Sequence, residues 1–325
     1  MRSGLLRTVI VGVVCLMAGL AVGVFVGRER GIPFTMETRD WTLGIYEGSS
    51  PTSLRPAAGA SNPVLTARDV TDLDAISVAD PFMAQKDGVW YMFFEVTARK
   101  GGHKSIGMAS SPDALHWTYR GIALDEPWDL SYAYVFQWAG EYYMVLEAPG
   151  SRSVPLYRAS DFPLGWKHVA TLVEGASFEA PSIIRRGDQW WLFAATADHS
   201  ILRLFYADEL TGPWTEHPQS PLIWDDPRAA RCAGRVVEDG GRLIRFAQDC
   251  RKCYGEQVWA FAITELTPVA YREEPIGDAP IIGPAGGSGW NAGGMHHLDV
   301  HRVADGRWVA CVDGWRTRRI YGLHY

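Results

Sequence analysis

The chain has 325 residues, 47% of them hydrophobic and 21% charged, with a formal net charge of -6. This excludes a disordered tail and allows one large core or two modest domains, and the acidic balance argues against a duplex nucleic-acid binder, which carries a basic face. The 14 Trp, 13 Tyr and 12 Phe suit a β-sheet core, and flat rings of this kind also cover the apolar faces of sugars.

The first element is an uncharged run, "TVIVGVVCLMAGLAVGVFVG", residues 8–27, preceded by Arg2 and Arg7 and followed by "RER". Twenty apolar residues suffice to cross a bilayer as a helix. A signal peptide shares the short basic flank, but this run exceeds the usual length and no A-x-A site follows. The reading is an uncleaved single-pass anchor over 1–30, a linker over 31–40, and a body at 41–325 outside the cytoplasm. Gly19, Gly23 and Gly27 form overlapping G-x-x-x-G spacings through which two anchors would pair as a homodimer. Glycine is also simply common in membrane helices.

The body repeats. "DGVWYMFFE", "AGEYYMVLE", "RGDQWWLFAA", "GGRLIRFAQD" and "DGRWVACVD" each place a turn glycine before an aromatic or β-branched strand. The glycines are Gly88, Gly140, Gly187, Gly241 and Gly306. A second strand-like run precedes each of them, so every unit opens with a hairpin. Outer aromatics at Trp117, Trp166, Trp214 and Tyr271 leave room for four strands per unit. With no helical period, this predicts an all-β, five-bladed β-propeller. "WTLGIY", residues 41–46, would supply the outer strand missing from the last blade. A two-domain sandwich would not explain one register kept through five units.

The register also places polar residues. Eight residues before the first four glycines stand Asp80, Tyr132, Glu179 and Ala233. In a propeller these open the innermost strands, so Asp80 and Glu179 face one funnel. Seven residues after each glycine stand Glu95, Glu147, Ala194, Gln248 and Asp313. A charge ending a strand such as "WYMFF" is costly unless hydrogen-bonded or paired, which suggests a polar ring around the funnel.

Here the chain resembles the five-bladed propeller glycosidases, whose familiar members are glycoside hydrolase family 43. "ADPF" matches the motif that carries the general base and "FEAPSI" the one that carries the general acid. The resemblance therefore implies Asp80 as base and Glu179 as acid, and hydrolysis of a cell-surface polysaccharide or glycolipid. Glycosidic cleavage needs two such carboxyl groups, roughly 6.5–9.5 Å apart for inversion. Non-adjacent blades favour that wider, inverting geometry. Those enzymes carry a further aspartate in the second blade. Here Tyr132 takes its place, with Glu147 the candidate to reach in from the neighbouring strand. "YAYVFQWAGEYYMVLEA", "AGRVVEDGGRLIRFAQDCRKCYG" and "ELTPVAYREE" more closely resemble the propeller-like N-terminal domain of plant glucosamine inositolphosphorylceramide transferases. That resemblance implies a carbohydrate or glycolipid partner without implying transfer. A non-catalytic carbohydrate-binding or partner-binding propeller is the alternative to hydrolysis.

The remaining candidates are substrate contacts. Arg235 opens the fourth blade as a clamp for an anion or hydroxyl, or as a partner of Glu179 or Asp249. Glu95, Tyr132, Gln248, Asp249 and Asp313 line the funnel. Adjacent His296 and His297 point to opposite faces of a strand, and one of them, His297, faces the funnel as a donor. His297, Asp80 and Glu95 are a conceivable metal set, but the reading is a site with no metal and no cofactor. Cys232, Cys250, Cys253 and Cys311 allow three pairings. Structural disulfides suit an exported body better than zinc.

Overall fold

The computed structural model describes residues 11–20, 22–23, 35–99, 103–196 and 199–321. One compact unit is Asp40–Arg316; the other comprises Met1–Arg39 and Thr317–Tyr325. In the latter, residues 11–20 and 22–23 are helical. The expected transmembrane helix is not shown: no helix among the described residues is long and apolar enough to cross a membrane. The rest of the apolar run, Gly27 of the pairing motif included, lies outside the described residues.

The strands in chain order are β1 (Thr35–Ser50), β2 (Ser53–Pro56), β3 (Ala75–Lys86), β4 (Val89–Ala98), β5 (Ser105–Ser111), β6 (Thr118–Leu124), β7 (Ser131–Trp138), β8 (Glu141–Glu147), β9 (Ser153–Asp161) and β10 (Leu164–Glu174). They continue as β11 (Glu179–Arg186), β12 (Gln189–Thr196), β13 (Ile201–Ala207), β14 (Thr215–Glu216), β15 (Val237–Asp239), β16 (Arg242–Asp249), β17 (Gln257–Leu266), β18 (Tyr271–Pro275), β19 (Leu298–Arg302) and β20 (Trp308–Tyr321). They form five four-stranded sheets: β3–β6, β7–β10, β11–β14, β15–β18, and a fifth in the order β19-β20-β1-β2. These are the five predicted blades. The fifth is composite, as expected, although residues 41–46 lie in its third strand and β2 is outermost.

The hairpins hold the register. Asp87–Gly88, Ala139–Gly140 and Gly240–Gly241 all have positive φ at both central positions, the turn that matches strand twist. In the third blade Arg186 pairs with Gln189, so Gly187 opens the turn where the other glycines close it. A count from that glycine is therefore displaced by one. Glu179 is equivalent to Ala79 and Ser131, and the true counterpart of Asp80 is Ala180.

Asp80, Tyr132 and Ala180 share positive φ of 51°, 52° and 47°. Each sits where the ladder skips, between Ala79 and Phe82, Ser131 and Tyr134, and Glu179 and Ser182. Such bulges re-aim side chains, and each left-handed non-glycine residue costs about 1–3 kcal/mol. In the fourth blade the positive φ falls one residue later in the count, at Gly234 with φ 121°, and a Cβ there would fall on the Leu298 carbonyl. Gly234→Ala is expected to lower stability by about 2–3 kcal/mol in urea denaturation. A loss near zero would mean that this approach of blades four and five is not tight.

The aromatics pack within and between blades. Tyr142 stacks on Phe162 at 3.7 Å inside the second blade, and Trp138 of the second blade meets Trp190 of the third edge-on at 5.2 Å. The expected disulfides are absent among the described residues, where all five cysteines are free. Cys232 packs into the core of the second and third blades, while Cys311 is buried in the core shared by the fifth and first. Their thiols are built into separate cores.

Candidate functional site

The openings of the inner strands converge on the axis. Asp80 is 2% exposed. Its backbone N–H donates to Asp313 Oδ2 at 3.0 Å, and its Oδ2 lies 3.0 Å from Ser131 Oγ. The same hydroxyl lies 2.6 Å from Glu95 Oε2, and its single proton serves one carboxylate at a time. Lys104 Nζ donates to Glu95 Oε2 at 3.0 Å.

Behind Asp80 stand the two histidines. His296 Nδ1 donates to Asp313 Oδ1 at 2.8 Å, and its Nε2 lies 3.8 Å from Asp80 Oδ1. Burial opposes a charge on His296, but Asp313 and Asp80 outweigh it and raise its pKa. His297 Nε2 donates to the Pro81 carbonyl at 3.0 Å. Its bare Nδ1 then faces Asp80 Oδ1 at 3.6 Å, two acceptors with no proton between them. Burial lowers the His297 pKa. Burial pushes the Asp80 pKa up, yet His296, Arg231 and Ser131 hold it below the ordinary value. Asp80 is thus kept as a carboxylate.

The second half of the site is built on Arg231, which the sequence reading did not single out. Arg231 Nη2 donates to Glu147 Oε2 at 2.9 Å, and Nη1 lies 3.0 Å from Glu179 Oε2. Glu147 Oε2 also accepts the Ala180 N–H at 2.7 Å. His199 Nδ1 lies 2.6 Å from Glu179 Oε2. Burial raises the Glu147 pKa despite Arg231. For Glu179 burial is outweighed by His199 and Arg231, and the pKa falls. The carboxyl expected to hold a proton is therefore the one kept ionised. Over these groups lie rings: Trp41 stacks on His296 at 4.2 Å, Tyr254 meets His296 at 5.1 Å, and Trp315 stands 6.1 Å from Trp41.

Of the predicted site residues, Asp80, Glu95, Glu147, Glu179 and Asp313 come together. The others do not join them as open contacts. The Tyr132 hydroxyl is buried between Ser182 and Gly234. Arg235 turns into the axis and pairs with Asp299, neither with Glu179 nor with Asp249. Gln248 is fully buried and donates to the Cys232 carbonyl. Asp249 is held by Arg251, Gln257 and Trp259. His297 is fully buried, and His296 is the histidine that meets the rings. A metal could be held by Asp80, His296 and Asp313, whose ligand atoms lie within 4.8 Å of one another, a set that differs from the one weighed above. The proton that Asp313 and Asp80 favour on His296 competes with such use.

Residues 35–315 match the family described as glucosamine inositolphosphorylceramide transferase 1, N-terminal. The chain belongs to this family. It is 36% identical over 299 residues to glucosamine inositolphosphorylceramide transferase 1 of Oryza sativa subsp. japonica, covering 85% of this chain and 40% of that protein. The Arabidopsis thaliana protein of the same name is 32% identical over 302 residues, covering 85% and 39%. The chain thus spans about two-fifths of the length of these family members. Among solved structures, a thermostable family-43 glycoside hydrolase superposes with a TM-score of 0.55 at 16% identity, covering 79% of this chain and 92% of that one. An exo-1,5-alpha-L-arabinanase from a bovine ruminal metagenomic library gives 0.52 at 15%, covering 74% and 93%. At that identity the likeness shows the five-bladed fold.

Proposed function

We propose that this propeller is a carbohydrate-recognition module whose axial site takes a sugar without hydrolysing it. One observation carries the reading: Arg231 reaches both Glu147 and Glu179. Hydrolysis needs a carboxyl that holds a proton for the leaving oxygen. Glu179 is tied to a guanidinium and an imidazole, and Asp80 is nearly closed to solvent. Five carboxylates, from Asp80, Glu95, Glu147, Glu179 and Asp313, face Arg231, Lys104 and His296. That excess of negative charge repels a phosphate or uronate and suits an uncharged or amine-bearing sugar, with Glu179, the least buried of the five, as the acceptor within reach of a hydroxyl. The rings of Trp41, Tyr254 and Trp315 provide apolar surface for a sugar face. The family's name refers to glucosamine and inositolphosphorylceramide, and the solved neighbours act on glycans, which supports the ligand class.

Hydrolysis is the second reading, because burial holds the Glu147 pKa up. In that reading Glu147 or Glu179 is the acid and Asp80 the base. The test is a screen of the full chain against arabinan, galactan, fructan and phosphoinositol-glycan, by calorimetry and by reducing-end release. Saturable binding without release is expected, with Glu179→Gln weakening it by about three- to tenfold. Release of sugar that Asp80→Asn abolishes would overturn the recognition reading. Persistence of that release in Glu179→Gln but not in Glu147→Gln would assign the acid.

A further inference from the structure

We infer that a groove on the second blade is a further sugar subsite, and that the ligand is an oligosaccharide chain running from the axis across this blade. The inference rests on the recognition reading for its axial end. The groove holds about 350 Å³, within the range of small-ligand sites, roughly 300–1,000 Å³. Pro155 and Tyr157 form its buried floor, and Trp128 stands at one wall, 40% exposed. Glu126, His168 and Thr171 supply polar groups. Among the described residues neither a lysine nor an arginine lines it, so its chemistry suits hydroxyls and an apolar ring face rather than a phosphate.

The wall is held in place. Asp129 accepts the Lys104 N–H at 2.8 Å, and Leu130 N–H donates to the Lys104 carbonyl at 2.9 Å. These bonds fix the backbone on one side of Trp128. On the other side, the Tyr157 hydroxyl donates to Glu126 Oε1 at 3.0 Å. Among the described residues no hydrogen bond engages Glu126 Oε2 or the Trp128 indole. An exposed aromatic on a tethered backbone, beside a pinned carboxylate, gives contact area at little entropic cost.

The groove is joined to the axial site by short chain segments. Trp128 lies three residues before Ser131, which touches Asp80, so their Cα atoms are at most about 11 Å apart. Ser151 lines the groove four residues after Glu147, at most about 14 Å away. A short oligosaccharide bridges such a distance. A monosaccharide does not.

The experiment measures calorimetric affinities of the full chain for arabino- and galacto-oligosaccharide ladders from disaccharide to hexasaccharide. Wild-type affinity is expected to rise with chain length. In Trp128→Ala that rise should vanish, with about tenfold weaker binding of the hexasaccharide and unchanged binding of the disaccharide. Trp128→Phe, which keeps a flat ring, should retain most of the rise. Equal hexasaccharide binding by wild type and Trp128→Ala would overturn the groove while leaving the axial reading standing. A wild type that binds none of the ladder would overturn both. Binding that is sensitive to Trp128→Ala but not to Glu179→Gln would keep the groove and remove the axial end.

Discussion

Arg235→Met should cost about 3–5 kcal/mol of stability, because it strands a buried carboxylate. Arg235 Nε donates to Asp299 Oδ1 at 2.7 Å, and its Nη2 reaches the Val135 carbonyl at 2.8 Å and the Met83 carbonyl at 3.3 Å. Its guanidinium lies 4.7 Å from the centre of the Tyr134 ring. Asp299 is fully buried and also accepts from Met83 N–H at 2.7 Å and His301 at 2.9 Å. The cluster joins strands of the first, second, fourth and fifth blades. Burial pushes the Asp299 pKa up, but Arg235 and His301 hold it well below the usual carboxylate range. A depressed pKa contributes stability above the unfolded value, and that contribution is lost as pH falls through the folded one. Urea denaturation of Arg235→Met, of Asp299→Leu and of the two together tests this. The double variant should recover part of the loss. A double variant that loses as much as the two singles combined would show that the pair does not act as a charge unit.

The second large effect is expected from Arg231→Gln, with a loss of about 3 kcal/mol in neutral buffer that shrinks in mild acid. Without the guanidinium, Glu147 and Glu179 remain half-compensated in a buried site. Burial already raises the Glu147 pKa, and in the variant both carboxyls should titrate higher still. The folded variant then binds protons more tightly than the unfolded chain, so its stability rises as pH falls toward the ordinary carboxylate value. In the wild type, Asp80 and Glu179 are depressed, and their contribution falls over the same acid range. The gap between the two proteins should therefore narrow on acidification. An unchanged gap in urea denaturation at the two pH values would mean that Arg231 does not balance these charges.

The blades were legible because each hairpin turn needs positive φ, and glycine marks that need in all five units. The same marker put Glu179 one residue out of step with Asp80. Its turn uses Gly187 in the first central position with Asp188 after it, so Glu179 stands where Ser131 stands, and a guanidinium meets it. Arg231 was hidden because it lies in the irregular stretch between β14 and β15, where no period aligns it. Its signal was chemical: a cation in "RAARCAGR" just before an inner strand, among carboxylates that had no named partner. Arg235, in the same stretch, was chosen instead. Four residues further along, it has entered the axis. The free cysteines show the limit of compositional reasoning: Cys232 and Cys311 serve as small apolar fillers.

The composite fifth blade gives the fold an order in time. Its third and fourth strands leave the ribosome first, and its first and second strands leave last. The early strands have no sheet to join until nearly the whole body has been made. Four blades can pair their own strands as they emerge, but the circle is sealed only by contacts between opposite ends of the sequence, the kind that slow folding most. The closed propeller thus carries a built-in check on its own synthesis, since a chain stopped short of β19 leaves β1 and β2 without neighbours beyond each other.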